Sequence, residues 1–206
     1  MIFFLSLCRQ ASNQLRLVPA IILALIVLAL PGPYSAAADM DRNAGFTRIV
    51  EDYNIPDVTL INQDGQKVRL RSFLLTDQPV LVDFVYTTCT TICPVLSANF
   101  ANFQSTLDWE DGKVRLVSIS IDPEFDTPKE MKLYLKRYRA KPGWDFLTGS
   151  REDIDRVLGV FKVYTRNKMN HAPVTLLKSP SDTRWVRLYG LVSTSKLLVE
   201  YEKVRK

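Results

Sequence analysis

The sequence predicts an α/β sandwich built on a mixed sheet. Three observations carry that expectation. Residues 79–86 (PVLVDFVY) and 114–121 (VRLVSISI) are nearly unbroken apolar runs, the pattern of strands buried on both faces. Each is followed by a segment with helix signals. Near the C-terminus, strand-like residues 174–177 and 184–189 succeed one another through Pro180-Ser181-Asp182, with no helix between them.

In chain order, residues 57–61 and 66–70 flank Asp64-Gly65, a hairpin signal. The buried run 79–86 comes next. Within 94–107, Leu96, Phe100, Phe103 and Leu107 recur at helical spacing, and Pro94 suits a first helical turn. After the strand 114–121, Thr127-Pro128-Lys129-Glu130 has the form of a capping box with proline at the first helical position, opening a helix to about residue 139. Residues 144–147 read as a short strand. Ser150 then caps a helix to about residue 162, with Ile154, Val157, Leu158 and Phe161 on one face. The two C-terminal strands and a helix from about residue 195 to 204 complete the order: a β-hairpin, then β-α-β-α-β-α-β-β-α.

Composition bounds the function. The chain has 206 residues, 47% hydrophobic and 24% charged, which excludes collagen-like, low-complexity and polytopic membrane classes. Its net charge is +5, but Arg9 and Arg16 lie in an N-terminal segment with no acid, leaving 25 basic against 22 acidic residues elsewhere. Those are intermixed, with no basic run to track phosphates, so nucleic acid is not the expected partner.

Residues 18–30 (VPAIILALIVLAL) form a 13-residue apolar run between these arginines and Pro31-Gly32-Pro33, followed by the small residues 35–38 (SAAA). This is the layout of an export signal with a cleavage site ending at Ala38. The run is shorter than the ~20 residues of a usual spanning helix, yet extended through residue 38 it just reaches across. Residues 1–38 therefore read as a signal peptide or an N-terminal membrane anchor, residues 39–54 as a polar tether and 55–206 as the working domain. Either way the domain acts outside the cytoplasm, in the periplasm. Cys8 precedes the apolar run, the wrong place for a lipid-modified cysteine.

Beyond the leader the only cysteines are Cys89 and Cys93, and the only histidine is His171. Both cysteines lie in Tyr86-Thr87-Thr88-Cys89-Thr90-Thr91-Ile92-Cys93-Pro94, where a buried strand gives way to a helix. Reactive groups of open α/β sheets gather at such carboxyl ends of strands, and a helix N-terminus stabilises thiolates. Four residues apart, the two sulfurs can close a disulfide or present two thiolates to one metal ion. A purely structural disulfide gains little from so short a loop. Two thiolates and an imidazole suit Cu(I), Cu(II) or Zn(II), but structural zinc normally takes four protein ligands.

At the same sheet edge stands Asp122-Pro123-Glu124-Phe125-Asp126-Thr127-Pro128. Here Asp126 or Thr127 is expected to cap the next helix. Asp122 has no such role and is a candidate acceptor behind the metal ligands, as is Asp126, or a partner contact. Met169, one of four methionines with no cluster around it, reads as a bystander.

These segments together resemble the SCO/SenC family of thioredoxin-like copper proteins. The resemblance spans about residues 56–204 and is carried by residues 82–94 (VDFVYTTCTTICP), 117–128 (VSISIDPEFDTP), 146–154 (FLTGSREDI) and the isolated His171. It implies a thioredoxin-like three-layer sandwich in which the turn before the strand at residue 174 packs on the cysteine loop. It also implies Cys89, Cys93 and His171 as ligands of one copper ion. The implied function is to deliver copper to the binuclear site of cytochrome c oxidase subunit II, or to reduce that site's thiols. Family members often carry an acid where this chain has Asn170, and the segment before His171 looks shortened. The missing carboxylate is expected to loosen the imidazole. The competing expectation is a periplasmic thiol–disulfide oxidoreductase, with Cys89 and Cys93 as its redox pair, a thiol reductant as partner and no copper transfer. No dedicated peroxidatic pattern is present.

Overall fold

The computed structural model describes residues 45–107 and 113–205. Its strands are β1 (Phe46–Glu51), β2 (Thr59–Asn62), β3 (Lys67–Arg69), β4 (Val80–Val85), β5 (Arg115–Ser120), β6 (Trp144–Thr148), β7 (Val174–Lys178) and β8 (Trp185–Gly190). Its helices are α1 (Leu70–Leu74), α2 (Cys93–Thr106), α3 (Pro128–Arg137), α4 (Arg151–Val160) and α5 (Thr194–Val204), with a one-turn 3₁₀ helix at Lys168–Asn170. The expected leader, residues 1–38, lies outside the described residues, as do residues 39–44 of the expected tether.

All eight strands form one sheet in the order β1-β8-β7-β4-β5-β6-β2-β3. Strands β4, β5 and β6 are parallel, and the other neighbours pair antiparallel. The sheet is mixed, as expected. Every residue of β4 is buried, because helices cover both faces. On one face Phe84 packs against Phe161 at the end of α4, which also meets Tyr53 and Trp185. On the other, Phe100 of α2 meets Trp144, Phe103 meets Tyr201 of α5, and Tyr134 of α3 meets Phe146. Three layers result. Thr127 and Ser150 cap α3 and α4 by accepting from the N–H groups of Glu130 and Asp153, as their spacing predicts.

Three elements differ from expectation. Residues 46–51, read as tether, form an edge strand paired in register with β8, Phe46 opposite Gly190 through Glu51 opposite Trp185. Its residues are all half-buried, and the pairing that makes it a strand comes from the far end of the chain. Leu70, expected in the hairpin, instead begins α1. The 3₁₀ turn before His171 is held by the Asn167 side chain, which accepts from the Met169 N–H.

Candidate metal centre

β4 ends at the loop that carries Cys89, and Cys93 is the first residue of α2. The loop is clasped from beneath. The Asp126 carboxylate accepts from the Thr87 backbone N–H at 3.0 Å, the Thr87 hydroxyl at 2.6 Å and the Ser120 hydroxyl at 2.5 Å. Asp126 is fully buried. The capping role expected of Asp126 or Thr127 falls to Thr127 alone, and Asp126 fixes the cysteine loop to the end of β5.

The N-cap position of α2, Ile92, supplies no side-chain hydrogen bond. The N–H groups left over address the Cys89 sulfur. Burial raises the Cys89 thiol, but hydrogen bonds from the Cys93 thiol and from the N–H groups of Thr91 and Cys93 outweigh it and bring it down to about 7. The helix N-terminus thus favours the Cys89 thiolate. Burial and the interaction with Cys89 push Cys93 far above the ordinary thiol range. Both residues are free cysteines.

His171 arrives from the other half of the sheet, just before β7. Its Nδ1 lies 2.9 Å from the Lys168 carbonyl oxygen, and its Nε2 lies 3.4 Å from Cys93 Sγ. A carbonyl only accepts, so Nδ1 carries the proton and the Nε2 lone pair faces the sulfur. Burial pushes the imidazole pKa down, which favours this neutral, ligating form. In place of the acid absent at position 170, the Lys168 carbonyl accepts from the ring. Tyr86 adds an edge-on contact to the imidazole, ring centroids 5.5 Å apart.

Asp122 touches neither cysteine nor His171. Its carboxylate accepts from Lys168 Nζ at 2.5 Å and lies 3.9 Å from Arg151. The same Lys168 presents its carbonyl to His171. Lys168 also lies over the rings of Tyr86 and Phe125. The structure therefore brings Cys93 and His171 into contact, while the Cys89 sulfur also lies 3.6 Å from the Thr91 hydroxyl. Among the described residues no three His, Cys, Asp or Glu side chains already stand as a closed metal site. Sequence reasoning quoted Tyr86 and Thr87 within the cysteine motif without assigning them a role, and it missed Lys168, which has no chemical signature beyond lying three residues before His171. Met169, read as a bystander, is in contact with the centre: its Sδ accepts from the Tyr86 hydroxyl at 3.3 Å.

The fold and site define a thioredoxin-like α/β protein with two cysteines and a histidine at the carboxyl edge of its parallel strands. The SCO1/SenC family pattern matches residues 49–195, and the chain belongs to that family. The SCO1 protein homolog of Bacillus subtilis is 41% identical over 106 residues, 50% of this chain and 54% of that protein. An SCO2-like protein of Rickettsia conorii is 32% identical over 203 residues, 92% of this chain and 96% of that one. The structure of BsSco, described with a disulfide switch in a member of the Sco family of cytochrome c oxidase assembly proteins, has a TM-score of 0.62 and 32% identity, covering 74% of this chain and 94% of that one. Copper-bound ScoI of Bradyrhizobium japonicum has a TM-score of 0.59 and 26% identity, covering 75% and 98%.

Proposed function

We propose that this chain is a copper-binding protein of cytochrome c oxidase assembly, in which Cys89, Cys93 and His171 hold one copper ion. The observation that carries the reading is the Cys93–His171 pair: a neutral imidazole whose Nε2 lone pair faces a sulfur at 3.4 Å. The donor set fits copper, since thiolates and imidazole are soft or borderline ligands. Cys89 completes the set, its sulfur already interacting with the Cys93 thiol. Two thiolates balance Cu(II), and with Cu(I) the one remaining negative charge sits at the α2 N-terminus. Copper is cargo here, delivered to the binuclear site of cytochrome c oxidase subunit II or to another copper-accepting protein. Support comes from family membership and from the copper-bound ScoI relative.

The test is copper titration of the reduced chain. One equivalent of Cu(II) is expected to produce intense sulfur-to-metal charge-transfer absorption, weakened or lost in Cys89→Ser, Cys93→Ser and His171→Ala. Binding as tight as wild type in both Cys89→Ser and His171→Ala rejects the ligand set.

A second reading rests on the asymmetry of the thiols, Cys89 near 7 and Cys93 far above. That asymmetry suits a thiol–disulfide pair with Cys89 as nucleophile, preparing the target's thiols with electrons from a thiol reductant. Complementation of a deletion strain separates the two. Under copper delivery His171→Ala fails and added copper partly rescues the defect; under thiol reduction His171→Ala succeeds and only reductant rescues.

The chain works outside the cytoplasm, with residues 1–38 as signal peptide or anchor. No helix among the described residues is long and apolar enough to cross a membrane. Cell fractionation with N-terminal sequencing of the recovered protein decides between the two forms.

A further inference from the structure

The thioether of Met169 is held in place although the residue is 60% exposed. Its backbone N–H donates to Asn167 Oδ1 at 3.0 Å, and its Sδ accepts from the Tyr86 hydroxyl at 3.3 Å. The Cys89 backbone N–H donates to the Tyr86 carbonyl at 3.2 Å. One buried tyrosine therefore ties Met169 to the cysteine loop, Cys89 recessed at 6% exposure and Met169 outermost. A thioether is a weak hydrogen-bond acceptor, so its contact with Tyr86 is readily exchanged for a better one.

We propose that Met169 is a soft ligand for Cu(I) at the mouth of the centre, pairing with Cys89 while the ion enters or leaves the Cys89/Cys93/His171 set. The inference rests on that ligand set. Thioether sulfur selects Cu(I) among the available metals. It is neutral, so it adds no charge for the departing ion to separate from. Methionine has three rotatable bonds, which lets the sulfur follow the ion outward from a fixed backbone. The 3₁₀ turn that places Met169 also presents the Lys168 carbonyl to His171, so the outer donor and the inner imidazole share one support. A carrier must release its cargo, and a weak outer ligand offers the next bond before the last inner one breaks.

The reduced full chain, loaded with one equivalent of Cu(I), is challenged with excess bathocuproine disulfonate and the coloured chelate followed in time. Met169→Leu keeps the side-chain bulk and is expected to slow transfer on the order of tenfold, with equilibrium affinity changed less than about threefold. In chain labelled with methyl-¹³C methionine, the Met169 methyl resonance is expected to move on Cu(I) addition while that of buried Met131 does not. An unchanged transfer rate in Met169→Leu, or a Met169 methyl that stays in place, overturns the proposal and leaves the three-ligand set standing. Failure of the set itself looks different. Wild type then retains no Cu(I) against the chelator, or Cys93→Ser retains as much as wild type, and both readings fall together.

Discussion

Cys89 and Cys93 share a helix terminus but not an environment. Cys89 collects the free N–H groups ahead of α2, while Cys93 sits under the loop with no exposed surface. Alkylation of the reduced chain by iodoacetamide is expected at Cys89 first, its rate rising through pH 7 as the thiolate forms and levelling above about pH 8. Cys93 is expected to react only after unfolding. Peptide mass mapping across pH 5–9 checks both, and equal labelling of the two cysteines at pH 7 contradicts the assigned asymmetry. Asp126 is the residue on which the loop depends. Asp126→Ala leaves the Thr87 N–H and hydroxyl and the Ser120 hydroxyl without their acceptor, a loss of roughly 2–4 kcal/mol for a buried hub of this kind. Urea denaturation measures that loss. The Cys89 reaction profile should move at the same time, since the loop that aims its sulfur is released.

At the scale of elements, the pairing of β1 with β8 ends at a close approach. Gly190 has φ +120°, and a Cβ there meets the Gly45 carbonyl oxygen at 2.8 Å and Phe46 Cα at 3.1 Å. Both obstacles are backbone, so neither can move aside without opening the strand pair. Gly65, in the β2–β3 turn, has φ +76° but nothing within 4 Å of a built Cβ. Gly65→Ala is thus expected to cost only the left-handed backbone term, about 1 kcal/mol. Gly190→Ala is expected to cost more, about 2–3 kcal/mol, and to loosen β1. Hydrogen exchange of the β1 amides distinguishes the two variants, because only Gly190→Ala should lose protection there. Equal stability of both variants removes the argument for a tight β1–β8 end.

At the scale of the whole molecule, an ionisable group stands in the central strand of the sheet. Asp83 lies in the middle of β4, completely buried, opposite Ser118 of β5. Burial pushes its pKa up from 3.8 to about 7. A carboxyl raised in the folded state binds its proton more tightly there than when unfolded. Its contribution to stability is fully present below pH 3.8 and is lost as pH rises to about 7, with a slope of at most ~1.4 kcal/mol per pH unit. Asp83→Asn cannot titrate. The stability of wild type relative to Asp83→Asn is therefore expected to fall between pH 4 and pH 7 and then level, as measured by urea denaturation at fixed ionic strength. A constant difference across that window contradicts the assigned pKa.

Much of this was legible from local pattern. Runs 79–86 and 114–121 read as buried strands, and Thr127 and Ser150 marked helix starts, because short-range sterics and unpaired N–H groups act within a few residues of each other. The scarcity of cysteine and histidine alone narrowed the chemistry to Cys89, Cys93 and His171, and their motifs carried the resemblance to the family. The tertiary structure decided what depends on partners distant in sequence. Residues 46–51 are a strand only because β8, about 140 residues on, offers an edge. Asp126 is a clasp rather than a cap because Thr87 and Ser120 converge on it. The His171 ring is oriented without an acid at position 170 because the Lys168 carbonyl, presented by a 3₁₀ turn, accepts a hydrogen bond from its Nδ1–H. Met169 belongs to the centre because a phenol from the end of β4 reaches it. Each of these rests on atoms meeting across the fold, and a linear pattern encodes the capacity for such contacts but not which of them form.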